Sequence, residues 1–469
     1  MLPEWTVIGF SGHRKLPDPK VAADAIRKVF DRLAAGHTPL ASVSSAASGS
    51  DTLFVEEVAR RKLPCLLVLP FPKARFQQDF SSADWQRILP LIEKATRVEE
   101  VAGEESAEGA YMETGILTAD RADIMVVVWD GKPAAGFGGT GDVVAYIREL
   151  GKPLIIIDPT SGGIAEERLE QLPAKSPLTG WNENPRETVK KHFQELDETA
   201  LLHAPKSRHL VLRIILFQLI ASAIGSIALA FAIRGGAGQL LALTELILLG
   251  IAFILSLQHR RKHQEWIKNR IAAEICRSFH AMWHMRRTDY SPKISIEGFD
   301  RLCRNLRLIH VLDKAPPLSL EAVRNQYLKE RVENQIAYFS GHSGKARLIY
   351  HKLKAFALFS TATATLLLLL ALTFSFLNIS GLVLTVPKCL SLLLPLASAA
   401  IFSLLITQDY SRRAVRYGEM ASMLEAAVRR LKMARTWNSL ARIATETEEA
   451  LLQEVVEWHS FRQFAGAPH

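Results

Sequence analysis

The sequence predicts an α/β chain in two parts. An N-terminal doubly wound parallel-sheet domain is followed by an all-α membrane region with four transmembrane helices in two hairpins and long cytoplasmic helices. Three observations predict this. Over residues 1–160, short apolar runs without polar alternation are separated by helical patterns, as in a sheet covered on both faces. Four longer apolar runs lie beyond residue 205, each of a length that crosses a bilayer. Finally, 469 residues at 48% hydrophobic carry a formal net charge of +9. Long apolar runs and strongly charged segments alternate, as in a membrane protein with large aqueous parts.

In chain order, Trp5 to Gly12 ("WTVIGFSG") reads as a strand and turn, and Lys20 to Leu33 has apolar residues at helical spacing. "ASVSSAA" leads into a second turn, Asp51 to Arg61 is helical, and Pro64 to Phe71, Ala122 to Gly131 and Lys152 to Pro159 are buried strands. A Pro/Gly/Glu-rich linker over 161–205 precedes a first hairpin with its helix (206–290), a connector (291–320) and a second hairpin with cytoplasmic helices (321–469). The apolar runs are Leu210 to Ile233, Leu240 to Leu257, Ala355 to Leu377 and Leu382 to Thr407.

Arg208 and Arg213 precede the first hairpin and Arg260, Arg261 and Lys262 follow it; Lys345, Arg347, Lys352 and Lys354 precede the second and Arg412, Arg413 and Arg416 follow it. The short loops carry almost no charge. Positive residues favour the cytoplasmic side, so N-terminus, middle segment and C-terminus are expected in the cytoplasm of a multi-pass inner-membrane protein. The N-terminus shows no secretory leader pattern. Cys65, Cys276, Cys303 and Cys389 lack metal-ligand or paired spacing and read as reduced thiols. Behind each hairpin, an amphipathic helix carries an aromatic residue eight places before a glutamate, Trp266 with Glu274 and Tyr417 with Glu425, which predicts a diverged duplication.

The stretches "GFSGHR" (Gly9 to Arg14), "SAASGSD" (ending at Asp51), "LPFPKARFQQDF" (Leu69 to Phe80), "VVVWDG" (Val126 to Gly131) and "GFGGTGDVV" (Gly136 to Val144) resemble, in this order, SLOG domains. These are Rossmann-like nucleotide sensors allied to LOG-type proteins. "YLKERVENQIAYF" (Tyr327 to Phe339), the following hairpin and "GEMASMLEAAVRRL" (Gly418 to Leu431) resemble the two-transmembrane SLATT effector domain, and the first hairpin with "RIAAEICRSF" resembles a partial second copy. The resemblance implies a cytoplasmic sensor of a nucleotide-derived second messenger, a cyclic nucleotide or ADP-ribose derivative. A partner enzyme would make this messenger, and the membrane effector would disrupt the bilayer in anti-phage defence. It implies a homo-oligomer acting on the lipid bilayer, with no nucleic-acid polymer as partner.

The residues support an anion site independently. Ser11, Gly12, His13 and Arg14 follow the first strand, where backbone N–H groups and a guanidinium suit phosphate. Ser48, Gly49, Ser50 and Asp51 lie before a helix whose N-terminus favours anions. Gly138, Gly139 and Gly141 permit tight turns around the Thr140 hydroxyl. Asp130 is placed either to accept from a ribose or to form a turn, Trp129 to stack on a base or fill the core, His13 to touch ligand or hold structure, and Asp51 to face ligand or cap its helix.

LOG-type hydrolases carry a catalytic glutamate three residues after the threonine of the glycine turn, where this chain has Val143. Glu113 is an available carboxylate without a second acid or base. Binding without turnover and without a cofactor is therefore expected; the alternative is a membrane-anchored nucleotide hydrolase. In the membrane region, Glu245 sits in an apolar run, either facing a partner or water path or lying near the outer headgroups. Gln218 and Ser222 are candidates for helix contacts or a pore lining, and Pro395 is expected to kink the fourth helix.

Overall fold

The computed structural model describes residues 2, 4–36, 39–101, 106–134, 136–172, 184–285, 298–313, 315–377, 379 and 381–466. Part of the expected linker (173–183) and of the connector (291–297) lies outside them, as do the side chains of the Arg260 to Lys262 block. The chain forms two compact units, residues 1–192 with 294–315, and residues 193–293 with 316–469.

The first unit is a seven-stranded sheet covered by helices. In chain order it contains β1 (Thr6–Gly12), α1 (Pro19–Gly36), β2 (Leu40–Ser44), α2 (Ser50–Arg60), β3 (Cys65–Leu69), the short α3 (Lys73–Phe76), α4 (Ser82–Lys94), β4 (Arg97–Glu100), α5 (Ala107–Arg121), β5 (Ile124–Val128), α6 (Thr140–Glu149), β6 (Leu154–Ile157) and β7 (Ile164–Glu167). Strand order is β4-β3-β2-β1-β5-β6-β7. All neighbours pair parallel except β6 with β7.

"LASVS", "CLLVL" and "IMVVV" are buried along their whole length, because helices cover both sheet faces. Phe10 of β1 stacks on Phe54 of α2 at 4.5 Å, and Phe30 of α1 joins at 5.3 Å. Two strands exceed the expected set. β4 ("RVEE") and β7 ("IAEE") are short, charged sheet edges, a composition that discourages edge-to-edge pairing. β7 lies in the stretch read as linker and is held by ion pairs of Arg148 with Glu167 and Arg32 with Glu166.

Residues 294–315 also belong to this unit. After α7 (Pro185–Ala230) and α8 (Gly235–Ala281), the chain returns to this unit as α9 (Phe299–Val311), which packs at the N-terminal ends of the strands. Arg304 donates twice to Asp123 at 3.0 and 2.8 Å, while the other Asp123 oxygen accepts from the Val7 backbone at 2.9 Å. Lys152 closes the end of α5 by donating to the carbonyls of Ala119, Asp120 and Ala122, the first of which also accepts from the Ala122 N–H.

The helical part comprises α7 (Pro185–Ala230), α8 (Gly235–Ala281), α10 (Leu320–Tyr327), a π-helical turn (Leu328–Glu333), α11 (Asn334–Phe376), α12 (Leu382–Thr407), α13 (Tyr410–Met433) and α14 (Trp437–Gly466). Four helices are long and apolar enough to cross a membrane, with spans His209–Ala230 and Gly235–His259 in α7 and α8 and further spans in α11 and α12. Only 6–22% of each apolar window is buried within the chain. Phe359 and Leu366 project 71% and 67% exposed, as lipid-facing residues do.

The first hairpin closes by local backbone chemistry. α7 ends with Ala232 at φ 47°, Ile233 N–H donating to Ala228 O and Ala232 N–H to Leu229 O, the bond pair of a Schellman cap. Each hairpin is followed by a helical extension, but the two extensions differ in continuity and in the placement of their glutamates. α8 runs unbroken from membrane to extension, whereas α12 and α13 are separated at Asp409, φ 55°. Glu274 is buried and Glu425 exposed.

α11 and α12 are joined by hydroxyls inside the apolar layer. Ser360 donates to Leu394 O at 2.9 Å, Ser398 to Ala357 O at 3.1 Å, and Thr361 and Ser398 hydroxyls lie 3.0 Å apart. Ala357, Ala364 and Ala371, all buried, let the backbones approach. Pro387 and Pro395 lie within one continuous helix. A double-mutant cycle of Thr361→Val with Ser398→Ala should give a coupling of about 0.6 kcal/mol in detergent unfolding. Strictly additive losses would remove the pair as a source of hairpin stability.

Candidate functional site

β2 and β5 flank β1, and the crossovers from β1 and β5 leave in opposite directions, so a crevice opens beyond Gly12 and Val128. Ligands of open parallel sheets bind at this reversal. Most of the expected site residues occupy its rim.

His13 joins the two loops. Its backbone N–H donates to Val128 O at 3.1 Å, and its ring Nε2 lies 3.1 Å from both the backbone nitrogen and Oδ1 of Asp130. A neutral ring with the proton on Nδ1 accepts from the Asp130 N–H, and a protonated ring pairs with the carboxylate. Asp130 also accepts from Lys132 N–H, and that bond, with His13, holds its carboxyl below the usual range.

The His13 carbonyl accepts both the Ser50 N–H at 3.1 Å and the Ser50 hydroxyl at 2.9 Å, tying the β1 loop to the start of α2. Gly49, at φ 88°, touches the Arg14 backbone where a Cβ has no room, and Gly12 is likewise enclosed by Ser50 and Val128. Ser11 and Ser48 are half-buried beside them. Asp51 is not the cap of α2. The N-cap is Gly49, and the Asp51 carboxyl turns inward to accept from Ser45 at 2.6 Å and Ser44 at 3.4 Å. Burial pushes it up to about 7, against the hydrogen bonds and the Arg14 charge.

Arg14 lies at the mouth, its guanidinium 4.1 Å over the Tyr111 ring. Tyr111 donates to Asp79 at 2.6 Å, Asp79 accepts from Arg75 at 2.7 Å, and Arg75 stacks on Phe71. Burial raises the Asp79 carboxyl, but Tyr111 and Arg75 more than offset this and hold it below its usual value. Tyr111, Asp79 and Arg75 were not among the expected ligand residues. The signal that could have found Arg75 and Asp79 was the position of Leu69 to Phe80 after β3, on the same sheet edge; Tyr111, on α5, carried none.

The glycine turn before α6 forms the far rim. Gly138 takes φ 80°, its N–H donating to the Asp142 carboxylate at 2.9 Å, and a Cβ there would meet Glu108 O at 2.6 Å. A Cβ at Gly141 would meet Ala134 N at 2.7 Å. Gly139 is the N-cap and Thr140, half-buried, opens the helix, so α2 and α6 both begin on this edge.

Two expected residues stand apart. Trp129 donates its indole N–H to Lys132 O at 2.8 Å and has the Arg148 guanidinium 5.5 Å from its ring centre, so it neither fills the core nor presents that face to a base. Glu113 lies on α5, where its charge acts on Tyr146. Val143, at the place of the hydrolase glutamate, is buried against Gly115.

In the membrane region, α8 starts at Gly235 rather than near Leu240, placing Glu245 about 15 Å along the helix. Its carboxylate lies against Gly225 of α7, whose missing side chain makes the room; a Cβ there would come within 3.0 Å of both carboxylate oxygens. The helix start therefore sets Glu245 within the span, not at its end. Ser222 is half-buried, its carbonyl accepting from Ser226, and Gln218 is exposed in the middle of its span.

A second polar centre, unforeseen from the sequence, lies outside the spans. Arg331, 4% exposed in the π-helical turn, donates to Glu448 at 2.7–3.2 Å and to Glu274 at 2.7 Å. Tyr327 and Ser278 hydroxyls complete Glu448 at 2.9 and 2.7 Å. Arg270 and Arg277 flank Glu274 and bind Asp197 of α7. Burial alone raises the Glu274 carboxyl, but Arg277, Arg331 and Arg270 together bring it down to about 2.

No curated protein matches the chain. Residues 327–458, from the end of α10 through the second hairpin into α14, match the family model described as SMODS and SLOG-associating 2TM effector domain 1, so this region is similar to a two-transmembrane effector domain.

Proposed function

We propose that the chain is a ligand-controlled membrane effector whose first unit binds a nucleotide-derived messenger, a cyclic nucleotide or ADP-ribose derivative, in the crevice beyond β1 and β5. The observation that carries this reading is the convergence there of two helix N-termini, a glycine-lined turn, and Arg14. Backbone donors and a guanidinium on one rim suit a polyphosphate or cyclic phosphate. Binding proceeds without turnover in this reading, because Val143 stands three residues after Thr140, where hydrolases of the resembling type carry their glutamate. The bound state favours an oligomer whose hairpins open a pore or disrupt the inner membrane, with both termini in the cytoplasm. A partner enzyme supplies the messenger in anti-phage defence. The similarity of residues 327–458 to effector domains and the four apolar helices support this arrangement.

The test is calorimetric titration of the detergent-solubilised full-length protein with cyclic nucleotides, cyclic ADP-ribose isomers and ordinary nucleotides, with product analysis of the same samples. One binder, unconverted and weakened at least about tenfold by Arg14→Ala through loss of a charge-assisted bond, is the expected result. Release of free base would move the protein to the hydrolases. Silence across the panel would remove the sensor.

A further inference from the structure

The stretch of α11 that enters the apolar layer carries a cluster of cations. From Asn334 to Gln408 the chain contains no acidic residue, yet Lys345, Arg347, Lys352 and Lys354 fall within ten residues just ahead of and at the start of the apolar run. All four are exposed, and none forms an ion pair among the described residues. Between them, Leu348 and Ile349 are 56% and 38% exposed. Tyr350 lies beneath Lys354, with the ammonium 5.7 Å from its ring centre.

The depth of these groups follows from their neighbours. Ser343 donates to Ala414 O, and Ser360 to Leu394 O. Interpolating between those levels sets Leu348 opposite Gln408, the C-cap of α12. Lys352 and Lys354 therefore stand about one turn inside the end of the neighbouring apolar helix, and their ammonium groups must extend back to the headgroup layer. Exposed aliphatic residues, an aromatic ring and unpaired cations alternating on one helix match the boundary between acyl chains and headgroups.

We propose that this stretch of α11 binds the headgroups of anionic phospholipids in the adjoining leaflet, with Lys352 and Lys354 on opposite sides of the helix as principal contacts and Lys345 and Arg347 further from the membrane. The phosphodiester supplies the charge that the protein withholds over this stretch. Such cations attract an acidic membrane surface individually and in sum, in a salt-dependent manner. This inference is independent of any ligand in the first unit.

The test uses full-length protein in nonionic detergent, its melting temperature followed against added dioleoyl phosphatidylglycerol, dioleoyl phosphatidylcholine or inorganic phosphate. Only phosphatidylglycerol should raise it, and less at high salt. Lys352→Gln with Lys354→Gln should require roughly tenfold more phosphatidylglycerol for the same rise. The charge-matched control Arg429→Gln with Lys432→Gln, exposed on α13, should respond as wild type. An equal response to phosphatidylcholine or to phosphate overturns the proposal. So does an unchanged phosphatidylglycerol response in the Lys352/Lys354 variant, or an equal loss in the control. Should the double variant fail to fold, the salt dependence of the wild-type response decides alone.

Discussion

Replacing Arg331 with alanine should destabilise the helical unit by about 3–5 kcal/mol, the cost of leaving buried charges without their counter-ion. The guanidinium is the shared partner of Glu274 on α8 and Glu448 on α14, at 4% and 0% side-chain exposure. Removing it strands Glu448 with only the Tyr327 and Ser278 hydroxyls. Glu274 keeps Arg270 and Arg277, so most of the loss falls on Glu448. The double change Arg331→Met with Glu448→Met should recover much of the stability, because removing both charges avoids the desolvation penalty. Thermal unfolding of the full-length protein in detergent checks both, with roughly a 10 °C drop expected for the single variant if it unfolds cooperatively. A single variant no less stable than Arg442→Ala, a surface control, would mean that helix packing and not this cluster holds the unit. The cluster also ties α8, which lies outside the family-matched residues, to α10, the π turn and α14 within or beside them. A π turn is a local departure from the α ladder that recurs at sites with a specific task, and here it carries the shared guanidinium.

That cluster shows where sequence reading stops. The aromatic–glutamate spacing singled out Glu274, and "YLKERVENQIAYF" contained Arg331, but their partnership spans 57 residues and Arg331 to Glu448 spans 117. No local pattern encodes such a pairing. Strands β1, β2, β3, β5 and β6 were legible because burial on both faces demands uninterrupted apolar runs. β4 and β7 were not, since charged edge strands of four residues resemble loops. The four membrane helices were legible from length and hydropathy alone. In the crevice, glycine turns announced the rim, and Gly49 and Gly138 do take positive φ. The joining of His13 to Asp130 depends on β1 lying beside β5, and that of Arg14 through Tyr111 to Asp79 on β3 lying one strand beyond β2 in the same sheet, which only the sheet order discloses. The placement of α9 with the first unit rests similarly on Arg304 meeting Asp123 across 181 residues.

Asp51 should make the first unit less stable as pH rises from 4 to 8. Its carboxyl is 2% exposed and its folded-state value of about 7 lies above the ordinary 3.8, because burial outweighs the bonds from Ser45 and Ser44, the Arg14 charge and the Gly12 backbone. The folded state thus holds a proton that the unfolded state has already released. Stability from this group is complete below the unfolded value and is lost as pH climbs through about 7, by up to roughly 4 kcal/mol for a shift of this size. Asp51→Asn, which keeps the side-chain shape and carries no charge, should abolish that decline and leave the unit more stable than wild type at pH 8. Pulse proteolysis of the full-length protein in urea, scoring fragments of β1 and β2, measures both pH profiles. Parallel profiles would mean that Asp51 is ionised in the fold at neutral pH and fully compensated by Arg14. The sign carries over to the proposed site. An anion at the N-terminus of α2 adds negative charge beside this carboxyl and raises it further, so binding is accompanied by proton uptake and weakens between pH 6 and 8. In Asp51→Asn that part of the pH dependence disappears, while the contribution of Arg14 to affinity remains.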